Sequence, residues 1–142
     1  MIDPLKITGK IVSGAKQGAF FTGLDWVQKQ CLDKLGFAPW PGTLNLEILM
    51  DYVAVIEEKK VAEGLELVSP ESNYCSGYVL PVSIEGLRAA IVIPAEDVRV
   101  HAKNIIEIIS PEMLKELLGV KYGDWVTLTI NDPELESKRH EC

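Results

Sequence analysis

The chain has 142 residues, enough for one domain that buries roughly 70% of its unfolded surface without a disulfide or metal staple. Its 21 acidic residues outnumber 14 basic ones, and a pI of about 4.8 argues against a surface built for nucleic acid or anionic lipid, so any phosphate ligand must meet a local positive field. Cys31, Cys75 and Cys142 lack CxxC spacing and leave an odd one over, which suggests neither a disulfide framework nor a zinc site and fits a reducing cytoplasm.

The N-terminus, Met1-Ile2-Asp3-Pro4-Leu5-Lys6, lacks a basic-then-apolar leader pattern, and no apolar run approaches the roughly 20 residues of a membrane span. Leu5 to Val12 alternates and is β-branched, predicting a strand. The loop Ser13-Gly14-Ala15-Lys16-Gln17-Gly18-Ala19 follows, with two glycines bracketing a lysine; it can bring backbone amides and an ammonium to a phosphate, or simply turn the chain. It lacks the Gly-Lys-Ser/Thr ending of a Walker A loop.

A helix is expected over Leu24 to Leu35, with Leu24, Val27, Cys31, Leu32 and Leu35 on one face and Gly36 as its stop; Trp26 and Cys31 read as packing. Then comes Gly36-Phe37-Ala38-Pro39-Trp40-Pro41-Gly42-Thr43-Leu44-Asn45-Leu46. Leu44 to Leu49 reads as a strand with Leu44, Leu46 and Ile48 opposite Asn45, Glu47 and Leu49. Residues i and i+2 share a strand face, so Thr43 and Asn45 can offer two neutral oxygens to one small cation. Such oxygens suit Mg²⁺ when a nucleotide supplies the negative charge.

Gly77 to Ile84 and Leu87 to Ile93 flank Glu85-Gly86 as a hairpin, and strands follow at Ile105 to Ile109 and Trp125 to Ile130, the last entered by the turn Tyr122-Gly123-Asp124. Between them Arg99, His101, Lys103, Asn104 and Glu107 collect after Pro94. Glu107 stands inside Ile105-Ile106-Glu107-Ile108-Ile109, where a buried carboxylate needs a partner. A second helix is expected with Ser110 as N-cap, Pro111 at N1, Glu112 in the first turn, Met113, Leu114, Leu117 and Leu118 as the apolar stripe and Gly119 as the stop. Its N-terminus would favour an anion. The many short strands without βαβ alternation point to a barrel or sandwich, and the charged tail from Asn131 to Cys142 is expected to fray.

Taken in order, the glycine loop, Gly-Phe-x-Pro-x-Pro-Gly-Thr-Leu-Asn-Leu, Ile93-Pro94, His101, Ile105-Ile106-Glu107-Ile108-Ile109-Ser110-Pro111 with Leu114 and Lys115, and Tyr122-Gly123-Asp124 resemble the archaeal-type CTP-dependent riboflavin kinases from Lys6 to Ile130. The resemblance implies a mainly β fold, a single six-stranded cradle-loop barrel spanning 1–142 with two short inserted helices. It implies transfer of the γ-phosphoryl of CTP to the 5′-hydroxyl of riboflavin, giving FMN and CDP, with one Mg²⁺ on Thr43 and Asn45. Gly14, Ala15, Lys16, Gln17, Gly18 and Ala19 match the family's nucleotide loop, and Glu112, Met113, Leu114 and Lys115 match the second nucleotide-holding stretch. Arg99 and Glu107 fall at flavin-contacting positions. Glu107 and His101 are the candidate bases for the ribityl hydroxyl, and Phe20, Phe21, Phe37 or Trp40 are candidates for an apolar slot around the flavin ring.

The chain departs from the family's loop pattern of Gly-x-Gly-x-Gly plus a basic or aromatic residue: Lys16 replaces the middle glycine and Ala19 the basic residue. Arg99 stands where a hydroxyl-bearing flavin contact is usual, and its guanidinium can pair with the FMN phosphate. No winged-helix domain precedes the first strand, so control of transcription is not expected. Two alternatives stay open, a non-catalytic flavin- or nucleotide-binding barrel and a riboflavin kinase with another donor. The expected setting is cytoplasmic, without nucleic acid or membrane as partner; the oligomeric state is open, and a monomer is compatible with the sequence.

Overall fold

In the computed structural model, residues 4–14, 21–71, 75–94 and 104–131 are described. The chain runs β1 (Leu5–Val12), α1 (Asp25–Leu35), β2 (Leu44–Glu47), α2 (Asp51–Glu63), β3 (Leu65–Val68), β4 (Cys75–Ile84), β5 (Leu87–Pro94), β6 (Ile105–Ile109), α3 (Leu114–Leu118) and β7 (Trp125–Ile130). The sheet order is β3-β4-β5-β6-β2-β1-β7, every pairing being antiparallel. A further pairing of β4 with β7, from Val82↔Ile130 to Ile84↔Leu128, closes six strands into a barrel and leaves β3 as an extra strand on β4. The mainly β barrel expected from the sequence is the observed fold.

The alternation of each strand decides what fills it. Ile7, Ile11, Leu44, Leu46, Leu80, Ile84, Ile91, Ile106, Ile108, Leu128 and Ile130 form the interior cluster, nearly all with no exposed surface. A second cluster lies under α1, where Val27, Cys31, Leu35 and Phe37 pack on Leu67, Val79, Ala90 and Ile109. β6 therefore has two buried faces, Ile106 and Ile108 on one and Ile109 on the other. Burying these apolar side chains contributes about 1.5–3 kcal/mol each.

The helix α1 ends where expected. Gly36 adopts φ 84°, a conformation costly for any residue with a Cβ, and its N–H caps Leu32 O. Arg88 reinforces this end, donating from Nη2 to Leu35 O at 2.8 Å with its guanidinium over the Phe37 ring. Leu32, assigned to the apolar face, is instead 56% exposed. Phe21 stands edge-on to Trp26 at 5.9 Å, so these rings pack on one another beside the second cluster. On the far side of α1, Gln30 Nε2 donates to Val68 O at 2.7 Å and Gln30 Oε1 accepts from Val68 N at 2.8 Å, while Lys34 Nζ donates to Glu66 O.

Three expectations need correction. Three helices, rather than two, have their bounds within the described residues: α2 escapes the sequence pattern because Ile56 is its one fully buried residue and Val61 lies open to solvent, so its apolar period is faint. β3, of four residues, is too short to signal itself. The helix expected from Pro111 starts only at Leu114, with Met113 as its N-cap residue. Ser110 is 4% exposed and turns its hydroxyl elsewhere, donating to Arg88 O at 3.1 Å; Glu112 N reaches it at 3.4 Å. Leu117 and Met113, placed on the apolar stripe, are largely exposed.

Candidate functional site

The segment before β2 is held on three sides. Gln28 Nε2 donates to Thr22 O at 2.5 Å and to Pro39 O at 2.7 Å, Gly42 N donates to Thr22 Oγ1 at 2.7 Å, and Trp40 N donates to Ser110 O at 2.8 Å. Gly42 has φ 139°, which lets the chain turn at Pro41-Gly42 and deliver Thr43 into line with β2.

Thr43 Oγ1 donates to Glu107 Oε1 at 3.2 Å. The register of β2 on β6 sets Asn45 directly across from Glu107, so one outward barrel face carries Thr43, Asn45 and Glu107 together. Asn45 is 7% exposed, yet its Oδ1 is buried with no hydrogen-bond partner among the described residues. An orphan carbonyl oxygen of this kind is costly unless something fills it. Ser13-Gly14, the start of the glycine loop, runs against this amide: a Cβ on Gly14 would lie 2.1 Å from Asn45 Nδ2. A side chain at the loop's first glycine would therefore have to push aside the amide of the candidate metal ligand.

These donors fit a small divalent ion. Among the described residues no three His, Cys, Asp or Glu side chains cluster into an all-protein cage. A hydroxyl and an amide oxygen with no partner among the described residues suit an ion that retains waters and takes the rest of its ligands from a phosphate.

Beside the triad opens a cavity of about 250 Å³, lined on one wall by Trp40 to Leu44 and on the other by Ser110 and Glu112 to Lys115, with Tyr122 at its rim. The structure therefore brings Thr43 and the candidate stretch Glu112, Met113, Leu114 and Lys115 to one hollow. Lys115 Nζ sits 3.9 Å over the Tyr122 ring, supplying the local cation that an acidic chain needs. In the sequence Tyr122 reads only as part of a turn; its place on the cavity rim needs the fold to be seen. Trp40 lines the cavity half-exposed, whereas Phe37 is core. Ala15, Lys16, Gln17, Gly18, Ala19, Phe20, Arg99, His101 and the tail beyond Asn131 lie outside the described residues.

The profile of the family CTP-dep_RFKase, described as "Domain of unknown function DUF120", matches residues 11–130. The chain belongs to this CTP-dependent riboflavin kinase family. Among its relatives, a protein of Methanocella arvoryzae named riboflavin kinase is 39% identical over 122 residues, covering 86% of this chain and 55% of that protein. The riboflavin kinase of Archaeoglobus fulgidus is 35% identical over 132 residues, covering 89% and 54%, and that of Ignicoccus hospitalis is 34% identical, covering 89% and 72%. The chain thus spans about half the length of the first two. The family match takes in every candidate site residue from Gly14 to Lys115. No helix among the described residues is long and apolar enough to cross a membrane.

Proposed function

We propose that this chain is a riboflavin kinase that moves the γ-phosphoryl of CTP to the 5′-hydroxyl of riboflavin, yielding FMN and CDP. The observation that carries the reading is the triad of Thr43, Asn45 and Glu107, with Asn45 Oδ1 unpartnered among the described residues beside Gly14 and the cavity at its flank. Phosphoryl transfer through a loose transition state asks mainly for positioning and charge neutralisation. Mg²⁺, when bound, would neutralise charge on the phosphate oxygens, held by Thr43 Oγ1 and Asn45 Oδ1.

The chain's own groups divide the remaining work. Lys115, with Lys16 of the loop, supplies positive charge toward the phosphates, and the backbone of Gly14 to Ala19 holds them. Glu112 to Lys115 and Tyr122 bound the space for the rest of the nucleotide. The ribityl 5′-oxygen forms its bond to the γ-phosphorus as the bond from that phosphorus to the β–γ bridging oxygen breaks; the hydroxyl proton passes to Glu107 or His101, and CDP leaves. Arg99 is proposed to meet the FMN phosphate.

The test is incubation with riboflavin and Mg²⁺ plus CTP, ATP, GTP or UTP in parallel, with FMN followed by chromatography. FMN formed mainly with CTP supports the whole reading. FMN formed with another triphosphate keeps the reaction and replaces the donor. No FMN with any of the four overturns the kinase reading in favour of a binding barrel.

A further inference from the structure

We infer that Glu107 is a positioning residue for the metal site, fixing the Thr43 hydroxyl so that its lone pairs face the ion. The inference rests on the kinase reading and adds to it a role for this carboxylate that does not involve the flavin. A threonine hydroxyl has one proton and two lone pairs. With the proton committed to Glu107 Oε1 at 3.2 Å, both lone pairs point away from the carboxylate. Without that acceptor the hydroxyl rotates, and its proton is as apt to face the ion as a lone pair is.

The framework around this contact is rigid. Asn45↔Glu107 is one of four consecutive β2–β6 pairs, from Leu44↔Ile108 to Glu47↔Ile105, so a one-residue slip of either strand would turn its own polar side chain into the barrel and separate the two. On the other edge of β6, Val92 lies opposite Glu107 and offers no competing donor. Glu107 Oε2 takes no hydrogen bond among the described residues, so the same carboxylate keeps one oxygen for the acceptor alcohol while the other orients the metal ligand. One side chain then touches both halves of the reaction, and loading of metal–nucleotide and of riboflavin would be reciprocally coupled through it.

The measurement is calorimetric titration of CTP, without riboflavin, in Mg²⁺ and in EDTA; the ratio of the two dissociation constants is the metal-dependent gain. Partners that orient a metal ligand typically matter about 10–100-fold in metal affinity. Glu107→Leu is expected to cut the gain at least about tenfold, whereas Glu107→Gln, whose amide oxygen still accepts from Thr43, keeps most of it. Thr43→Val removes the ligand itself, and in that background Glu107→Leu is expected to have no further effect. Should Glu107→Leu fail to fold, Glu107→Val, β-branched, suited to β6 and equally without an acceptor, takes its place.

An undiminished gain in Glu107→Leu, or an equal loss in the parent and Thr43→Val backgrounds, would overturn the inference while leaving the kinase reading standing. A full gain in Thr43→Val would remove the metal assignment, and the inference with it. A parent protein that binds no CTP in either buffer would overturn the kinase reading first, an outcome that the FMN assay reports separately.

Discussion

Gly14 leaves just the room that the Asn45 amide fills: a Cβ on Gly14 would meet Asn45 Nδ2 at 2.1 Å and Asn45 Cγ at 2.3 Å. Gly14→Ala is therefore expected to destabilise the fold by about 1–3 kcal/mol and to displace the mouth of the glycine loop. All three atoms nearest that Cβ belong to the Asn45 amide. In an Asn45→Ala background the penalty should largely disappear, so chemical denaturation of the four proteins in this double-mutant cycle should be strongly non-additive. Additive losses would show that the loop clashes elsewhere.

Asn45 should also separate function from stability. Its Oδ1 is buried without a partner among the described residues, so Asn45→Ala removes an orphan polar atom at little structural cost. FMN formation should fall at least about a hundredfold, the scale of a few kcal/mol of lost charge stabilisation. The unfolding midpoint should hold or rise. Normal turnover in both Asn45→Ala and Thr43→Ala would remove these two side chains from the metal site.

At the cavity rim, Lys115→Met should raise the KM for the nucleotide more than it lowers kcat, because it removes the cation facing the hollow. Tyr122→Phe keeps the ring face under Lys115 and should behave like the parent, while Tyr122→Leu should move part of the way toward Lys115→Met. Identical kinetics for Tyr122→Leu and the parent would show that the ring does not position the ammonium.

Arg88 joins the end of α1 to the β4–β5 hairpin. Its side chain holds Leu35 O and covers Phe37, and its carbonyl takes the Ser110 hydroxyl. Arg88→Met should cost about 2 kcal/mol in chemical denaturation, since a charged hydrogen bond and a cation–π contact are lost together. It should leave the nucleotide dissociation constant within about twofold, because Ser110 still has the backbone carbonyl of residue 88 as its acceptor.

Cys31 is buried in the cluster under α1, and burial pushes its thiol up to about 11 from 9.0, against the opposing pull of the Lys34 charge. Raised above its unfolded value, this thiol favours the fold fully below about pH 9, and that contribution is lost as pH rises through about 11. In a Cys75→Ser/Cys142→Ser background, the stability difference between Cys31 and Cys31→Ala should shrink across that window. A thiol reagent at neutral pH should label Cys31 only as fast as the protein opens.

The barrel strands are legible in the sequence because short runs rich in β-branched residues are separated by glycine-containing turns; Glu85-Gly86 between Ile84 and Leu87 is the plainest case. Thr43, Asn45 and Glu107 are legible as candidates, yet their meeting is not. It depends on the β2–β6 register, a pairing across about sixty residues that no local pattern encodes. The alternation assigns Asn45 to a face opposite the core, and it is on that face, yet it is 7% exposed and Gly14 packs against its amide. Ser110 misleads for the converse reason: a capping residue by type, it accepts from Glu112 N ahead of the helix but gives its own proton to Arg88 O, twenty-two positions away.

The double hydrogen bond from the Gln30 carboxamide to Val68 gives the sheet its terminus. β3 lies outside the closed barrel, and a strand in that position ordinarily offers free backbone groups on which another chain can grow. Here an amide side chain, shaped like the peptide unit it replaces, occupies both groups of Val68, and Lys34 takes the carbonyl of Glu66. α1 thus acts as a false neighbouring strand, so the helix that braces the site also protects this rim against edge-to-edge aggregation.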